Sequence, residues 1–274
     1  MQTVRPPAVD LDYTVEDFHA GAHRDSAFFL ERIEEAVVRL ATEGQPGTVL
    51  DVACGLGQQA ARIARAGPQT WGLEASDRMI GLGRYLDPGS GVLYVRGIAE
   101  ALPFADGRFD RVVCQGALDH FADATAFMGE AARVLRPGGR IIIALANYES
   151  LSCRLGRWLA RVKRALRRPP PPGRPYWEPP EDHNVKGTPA FVRGLGGDAL
   201  ELERCFGVSL LWLFSRWGPF LDALPLPVAR SLWRALDAVA FRSPSLADMM
   251  VSVWRRRAAS PPRTPGSHGA QSHP

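Results

Sequence analysis

The chain has 274 residues, 46% of them hydrophobic, and a formal net charge of +4. That suffices for one large domain with a sizeable core, and the mild basic bias permits a nucleic-acid or anionic-membrane partner without requiring either. Zinc and dithiol redox motifs are not supported, because Cys54, Cys114, Cys153 and Cys205 include no C-x-x-C pair. No apolar run nears the roughly 18–20 residues of a membrane span. Met1-Gln2-Thr3-Val4-Arg5-Pro6-Pro7 has no apolar signal region, so a cytoplasmic, reducing setting is expected.

Residues 1–23 are polar and at first proline-broken. A helix capped by Asp25 or Ser26 is expected through Phe28, Phe29, Ile33, Ala36, Val37 and Leu40, ending at Gly44-Gln45-Pro46-Gly47. Val49-Leu50-Asp51-Val52 then reads as a strand that breaks into the turn Ala53-Cys54-Gly55-Leu56-Gly57 and continues as a helix from Gln58. Such joints bind anionic ligands. Glycine admits close backbone approach, and the helix start offers free N–H groups and the positive end of its dipole. Gly55-x-Gly57-x-x-Ala60 also fits a dinucleotide fingerprint, with Glu74 at the spacing of a ribose-binding acid.

Further strands are expected at Thr70–Glu74, Val92–Val95, Phe109–Gln115 and Ile141–Leu145. Between them lie a helix over 78–86, capped by Ser76 or Asp77, and one through Phe127, Ala131 and Leu135 that stops at Arg136-Pro137-Gly138-Gly139. Strands alternating with helices, several apolar on both faces, indicate an α/β fold with a parallel sheet covered on both sides. Leu151, Leu155, Trp158, Leu159, Val162 and Leu166 then form a helical stripe among Arg154, Arg157, Arg161, Arg164, Arg167 and Arg168. Pro169–Pro172 breaks the chain. Residues 188–206 read as helical, Val208–Phe214 as a sixth strand, 227–241 as an amphipathic helix and Leu246–Trp254 as the last strand. The tail reads as disordered.

The glycine turn and its surroundings carry a resemblance. Asp51-x-x-Cys54-Gly55-x-Gly57 resembles the first motif of class I S-adenosylmethionine-dependent methyltransferases, with Ala53 where that family most often has glycine. Four further stretches resemble later motifs in the right order. They are Gly72-Leu73-Glu74-Ala75-Ser76-x-x-Met79, Gly97-Ile98-Ala99-Glu100-Ala101-Leu102-Pro103-Phe104, Phe109-Asp110-x-Val112-Val113 with Leu118-Asp119-His120, and Arg133-Val134-Leu135-Arg136-Pro137-Gly138-Gly139. A dehydrogenase does not predict Leu102-Pro103-Phe104 or Arg133-Val134-Leu135-Arg136-Pro137-Gly138-Gly139. The resemblance covers residues 47–147 tightly and continues loosely to 257. It is to the broad small-molecule methyltransferases, similar to the quinone-biosynthesis type.

The resemblance implies a Rossmann-like, seven-stranded, mostly parallel sheet with helices on both faces and the last strand antiparallel. It implies S-adenosylmethionine as cofactor, held by Asp51, Ala53, Gly55, Gly57, Glu74, Ala75, Ile98, Ala99 and Gln115. Ile98 stands where the family often has an adenine-binding aspartate, so adenine is expected to rest on apolar contacts and the Ala99 backbone, helped by Glu100. The chain then divides into a cap and packing helix (1–46), the cofactor core (47–150), a basic and proline-rich insert that lids the substrate (151–190), the rest of the fold (191–257) and the tail (258–274). Tyr13, Phe18 and His23 are candidates for covering the cofactor.

A sulfonium donor needs no metal, and none is expected. A general base is needed only if the acceptor must lose a proton. His120, at the exit of the fourth strand, is the first candidate; its alternative is a helix-capping or cofactor-packing role. His183, with Asp182, is the second, against a plain surface turn after Pro179-Pro180. Tyr148 is the third. The expected acceptor is small or lipid-like, met by Tyr176, Trp177, His183, Trp212, Phe214 and Trp217, the last three being equally candidates for the core. A nucleic-acid partner is disfavoured. Gln115-Gly116-Ala117-Leu118 replaces the motif of base-amine methylases, and the arginines at 154–168 lack interleaved aromatics. A non-catalytic partner protein is disfavoured by the intact glycines and Glu74. The basic helix reads either as a solvated packing helix or as a peripheral contact with anionic lipid at the inner membrane surface.

Overall fold

The computed structural model describes residues 23–167, 174–214 and 216–257. Tyr13, Phe18, the proline break at 169–173 and the tail from 258 lie outside them. Seven strands, β1 (Thr48–Val52), β2 (Gln69–Glu74), β3 (Val92–Arg96), β4 (Phe109–Gln115), β5 (Leu135–Ala146), β6 (Leu200–Val208) and β7 (Met249–Arg256), form one sheet. Their order is β3-β2-β1-β4-β5-β7-β6. Every pairing is parallel except the two that β7 makes with β5 and β6. The expected seven-stranded sheet with an antiparallel last strand is what forms.

Side-chain parity explains why the central strands are apolar throughout. Leu50, Val52, Val112, Ile141, Ile143 and Leu145 point to one face and pack with Phe127, Met128 and Ala131 of α4 (Ala124–Val134). Val49, Val113, Ile142, Ala144, Val251 and Val253 point to the other. There they meet Phe29, Ile33, Ala36 and Val37 of α1 (Arg24–Thr42) and Trp233 of α8 (Leu226–Arg242). A strand covered on both faces cannot alternate in polarity. The remaining helices are α2 (Gln58–Arg65), α3 (Asp77–Leu86), α5 (Leu151–Ala165), α6 (Pro189–Gly194) and α7 (Trp217–Ala223).

Several expected boundaries move. Asp25 and Ser26 do not cap α1 but lie buried in its first turn. The cap comes from another element: Asp222 of α7 accepts from the Arg24 backbone N–H at 3.0 Å and from the His23 ring at 2.6 Å. The helix expected over 188–206 is only α6, and the sixth strand is β6 rather than Val208–Phe214. Leu200 and Leu202 join the core on the α4 side, and past a bulge between Leu202 and Arg204 the residues Phe206 and Val208 join the core on the α1 side. Beyond Val208 a strand is excluded, because Ser209, Leu211 and Leu213 all have positive φ. That loop is pinned by two carboxylates: Asp237 accepts from Ser209 N and Asp248 from Trp212 N, each at 2.9 Å.

Candidate active site

The turn after β1 is built on left-handed backbone, with φ of 56° at Ala53, 55° at Gly55 and 77° at Gly57. Cys54 N ties the turn to Leu73 O of β2 at 3.0 Å. Tyr94 of β3 props it from beneath, its hydroxyl donating to Leu56 O at 2.9 Å. Burial pushes that hydroxyl up to about 12. Gly57, the N-cap of α2, brings no side-chain cap, and Asp51 takes the Ala60 N–H from behind, so the helix start keeps part of its backbone donors for a ligand. Glu74, the last residue of β2, accepts from Gly55 N at 2.9 Å and from Ser76 N at 3.0 Å. Its carboxylate therefore fixes both the glycine turn and the start of α3.

Ala53 is the one non-glycine among these left-handed positions. Alanine there costs roughly 1–2 kcal/mol of backbone strain, of which glycine's greater unfolded-state entropy cancels part. We expect Ala53→Gly to raise Tm by a few degrees, about 2–4 °C per kcal/mol for a domain of this size. A thermal melt showing a lower Tm would contradict the strain argument.

A cavity of about 370 Å³ opens at the carboxyl ends of β1, β2 and β4, within the usual size range of small-molecule sites. Here the strand order reverses between β1 and β4, the place where open α/β sheets bind ligands. Of the expected cofactor residues, Ala53, Gly55, Glu74, Ala75, Ile98, Ala99 and Gln115 line it. Asp51 and Gly57 do not, because they lie behind the wall. Asp51 is 2% exposed and accepts from Ala60 N; burial, with Glu74 nearby, lifts its carboxyl to about 7. Gly57 is a spacer against Tyr94. Glu100 accepts from Ala122 N at 2.8 Å and so braces the wall.

The cavity fits an adenosine-bearing cofactor. Ile98 offers an exposed apolar surface to a flat ring. Gln115 Oε1 is covered and has no hydrogen-bond partner among the described residues, an acceptor left for a ligand. Glu74 lines the same cavity with its carboxylate.

His120, Asp182 and Asn184 line a polar part of the cavity, and three separate stretches build the cluster behind them, in which Asp119, His183 and Tyr148 do not line it. Leu118–His120 forms a 3₁₀ turn directly after β4. Asp119, 5% exposed, places Oδ2 3.1 Å from His183 Nδ1, and the Tyr148 hydroxyl stands 3.2 Å from the same nitrogen. The rings of His120 and His183 meet edge to face at 4.5 Å, and His120 Nδ1 lies 3.4 Å from Asp182 Oδ2. The 182–185 segment is strapped to the turn: Asn184 N and Val185 N donate to Asp119 O, and Asn184 Nδ2 donates to His120 O. Burial holds the His183 imidazole below its ordinary value and raises the Tyr148 hydroxyl to about 12.

All three catalytic candidates thus sit in one cluster. Asp119, which joins them, had drawn no role in sequence; its signal was an acid beside a histidine at a strand exit. The aromatic acceptor wall does not form as expected. Trp212 stacks on Phe29 at 4.1 Å and donates to Ser26 Oγ, and Trp217 packs in the same layer on the α1 face of the sheet. Tyr176 and Trp177 pack over Gly156 of α5, with the Tyr176 hydroxyl on Ser152 O at 2.8 Å. None of these four lines the cavity, nor does Phe214. His23, bonded to Asp222, does not line it either.

The sheet order and the glycine turn at the end of β1 are those of a class I, S-adenosylmethionine-dependent methyltransferase fold. Residues 50–143 match the methyltransferase domain family, so the recognition made from the motifs holds and the cofactor of this domain is S-adenosylmethionine. The chain is 34% identical over 148 residues to a ubiquinone biosynthesis O-methyltransferase of Sinorhizobium medicae, covering 49% of this chain and 60% of that protein. It is 35% identical over 116 residues to a demethylmenaquinone methyltransferase of Beutenbergia cavernae, covering 42% and 48%. The matches thus span about half to three-fifths of these relatives' length. A crystal structure of a Pyrococcus horikoshii protein shares the fold, with a TM-score of 0.55, 19% identity, and coverage of 93% of this chain and 97% of that one.

Proposed function

We propose that this protein methylates a small or amphipathic acceptor at a hydroxyl oxygen. The observation that carries this reading is the buried Asp119–His183–Tyr148 cluster packed behind His120, which itself lines the cavity. An acceptor with no proton to lose would have no use for it. The named activity of the Sinorhizobium relative supports the oxygen assignment.

Bound S-adenosylmethionine supplies a methyl carbon on a sulfonium, already electrophilic. The acceptor oxygen would take that methyl as the electrons of the S–C bond return to sulfur. Glu74 orients the ribose and, through Gly55 N, the turn. Ile98 and the Ala99 backbone hold the adenine edge. The hydroxyl's proton is lost at the cluster, where His120 and His183 stand. Holding both reactants in line is worth up to about 7–11 kcal/mol of barrier. The test is incubation of the full chain with methyl-labelled donor and paired phenol and arylamine acceptors carrying prenyl tails. Label is expected in the phenol ethers. Label in the amines alone, with S-adenosylhomocysteine binding intact, would overturn the oxygen assignment.

The same reading places α5 at an anionic membrane surface, suiting an acceptor that lives in lipid. Ser152, Cys153 and Gly156 of α5 are buried and Leu151, Leu155, Leu159 and Val162 half-buried, so its apolar stripe is covered only in part. Trp158 and Leu166 are 60% and 64% exposed, among the exposed Arg154, Arg161, Arg164 and Arg167. No Asp or Glu occurs from 151 to 167. No helix among the described residues is long and apolar enough to cross a membrane. Each basic residue near an anionic surface contributes about 1 kcal/mol, screened by salt. Flotation with anionic vesicles at low salt is expected, weakened by high salt and by Trp158→Ala. Equal recovery with neutral and anionic vesicles would return α5 to a structural role.

A further inference from the structure

We infer that Asp119, His120 and His183 bind a divalent metal ion of the zinc–cobalt class at the acceptor end of the cavity. No metal-ligand spacing exists in the sequence, since His183 is far from Asp119 and His120. The fold creates the set by strapping the 182–185 segment to the turn after β4.

The geometry is that of a ligand set. One donor atom from each residue lies within 4.8 Å of the other two. The closest pair, Asp119 Oδ2 and His183 Nδ1, is 3.1 Å apart. Donors held about 2.0–2.2 Å from a zinc-class ion stand roughly 3–3.5 Å from one another, so the third needs only a modest side-chain adjustment. Two imidazoles and one carboxylate are the donor set of metal sites that keep open positions for a substrate. His120 lines the cavity, and so does Asp182, whose Oδ2 lies 3.4 Å from His120 Nδ1 as a further carboxylate in reach.

Asp119 supplies an independent observation. It is 5% exposed, and its Oδ1 is covered with no hydrogen-bond partner among the described residues. A buried carboxylate oxygen left unpaired is costly, and a cation beside it removes the penalty. Asn184 Nδ2, donating to the His120 carbonyl, holds the backbone of that ligand, and a metal on His183 Nδ1 would displace the Tyr148 hydroxyl that stands 3.2 Å from it. The ion's role rests on the proposed methyl transfer: it would draw the acceptor's hydroxyl oxygen and ease loss of the proton to water. Its binding does not depend on that reading.

The test uses the full chain, stripped by chelator and titrated with Co²⁺. One equivalent is expected, with the visible bands of a four- or five-coordinate nitrogen–oxygen site and no thiolate charge-transfer band. His183→Gln and Asp119→Asn should each weaken binding by about 100-fold or more, beyond the effect of losing an outer contact. Because Asp119→Asn risks the local fold, His120→Gln, on the cavity wall, serves as the second variant. S-adenosylhomocysteine calorimetry reports separately on the cofactor end. Absence of the bands in the unaltered chain would leave the cluster a hydrogen-bonded proton acceptor and overturn the inference. Binding unchanged in all three variants would place the ion on other histidines and overturn it as well. Cobalt binding without methylation of any acceptor would sink the proposed function and leave the metal site standing.

Discussion

Glu74→Ala is expected to bind S-adenosylhomocysteine about 100-fold more weakly than the unaltered chain, or worse. The carboxylate holds Gly55 N at 2.9 Å and Ser76 N at 3.0 Å, so the substitution frees both the glycine turn and the first turn of α3. It also removes the acceptor for the ribose hydroxyls. Hydrogen bonds to a charged group contribute about 1.5–3 kcal/mol each, and 2.7 kcal/mol is roughly the free energy of a 100-fold change. Glu74→Gln keeps the shape but loses the charge and one acceptor, and should fall between. Calorimetry finding unchanged affinity in Glu74→Ala would remove the site from the end of β2.

Gly57→Ala should damage both stability and binding. A Cβ at this position would lie 2.1 Å from the Tyr94 hydroxyl oxygen and 2.8 Å from its Cζ, at a φ of 77° that alanine resists. Tyr94 has little room to retreat, because its hydroxyl is bonded to Leu56 O and a Cβ on Gly83 would lie 2.8 Å from it. Overpacking of about 1–3 kcal/mol and backbone strain of about 1–2 kcal/mol act together. A fall in Tm of about 5–15 °C follows for a domain of this size. The two parts separate in a double variant. Tyr94→Leu should recover the steric share of the loss and leave the backbone share, so the pair should be strongly non-additive. Additive melting temperatures would mean that Gly57 is there for some reason other than Tyr94.

The cofactor half was legible in sequence because its determinants are local. A buried strand, a glycine turn and a helix start lie within Val49–Ala64, and Ala53, Gly55 and Glu74 reach the cavity through backbone direction alone. The central strands were legible because burial on both faces leaves an unbroken apolar run, as at Ile141–Leu145. The outer part of the sheet was not. β6 is an edge strand with Glu201 and Arg204 exposed and a bulge between Leu202 and Arg204 that switches its apolar residues from one face to the other, so its alternation was broken and hidden under charge. The 208–214 segment is apolar yet turns through three positive-φ residues, held by Asp237 and Asp248 from elsewhere. The acceptor end failed in a different way. His120, Tyr148 and His183 were each recognisable singly, but only the tertiary strap through Asp119 makes them neighbours. Trp212 and Trp217 stayed open between that end and the core because sequence does not say on which side of a sheet a loop aromatic falls.

The position of β7 has a consequence for how the molecule comes to exist. β6 pairs with no strand but β7, and β7 is the last to be synthesised. On a ribosome, Leu200–Val208 therefore waits with an unsatisfied edge until Met249–Arg256 emerges and slides between it and β5. The cofactor half, with β1 to β5 already adjacent, can condense well before that. The closing event is a long-range insertion, slow by its loop-closure entropy and exposed to wrong partners while it waits.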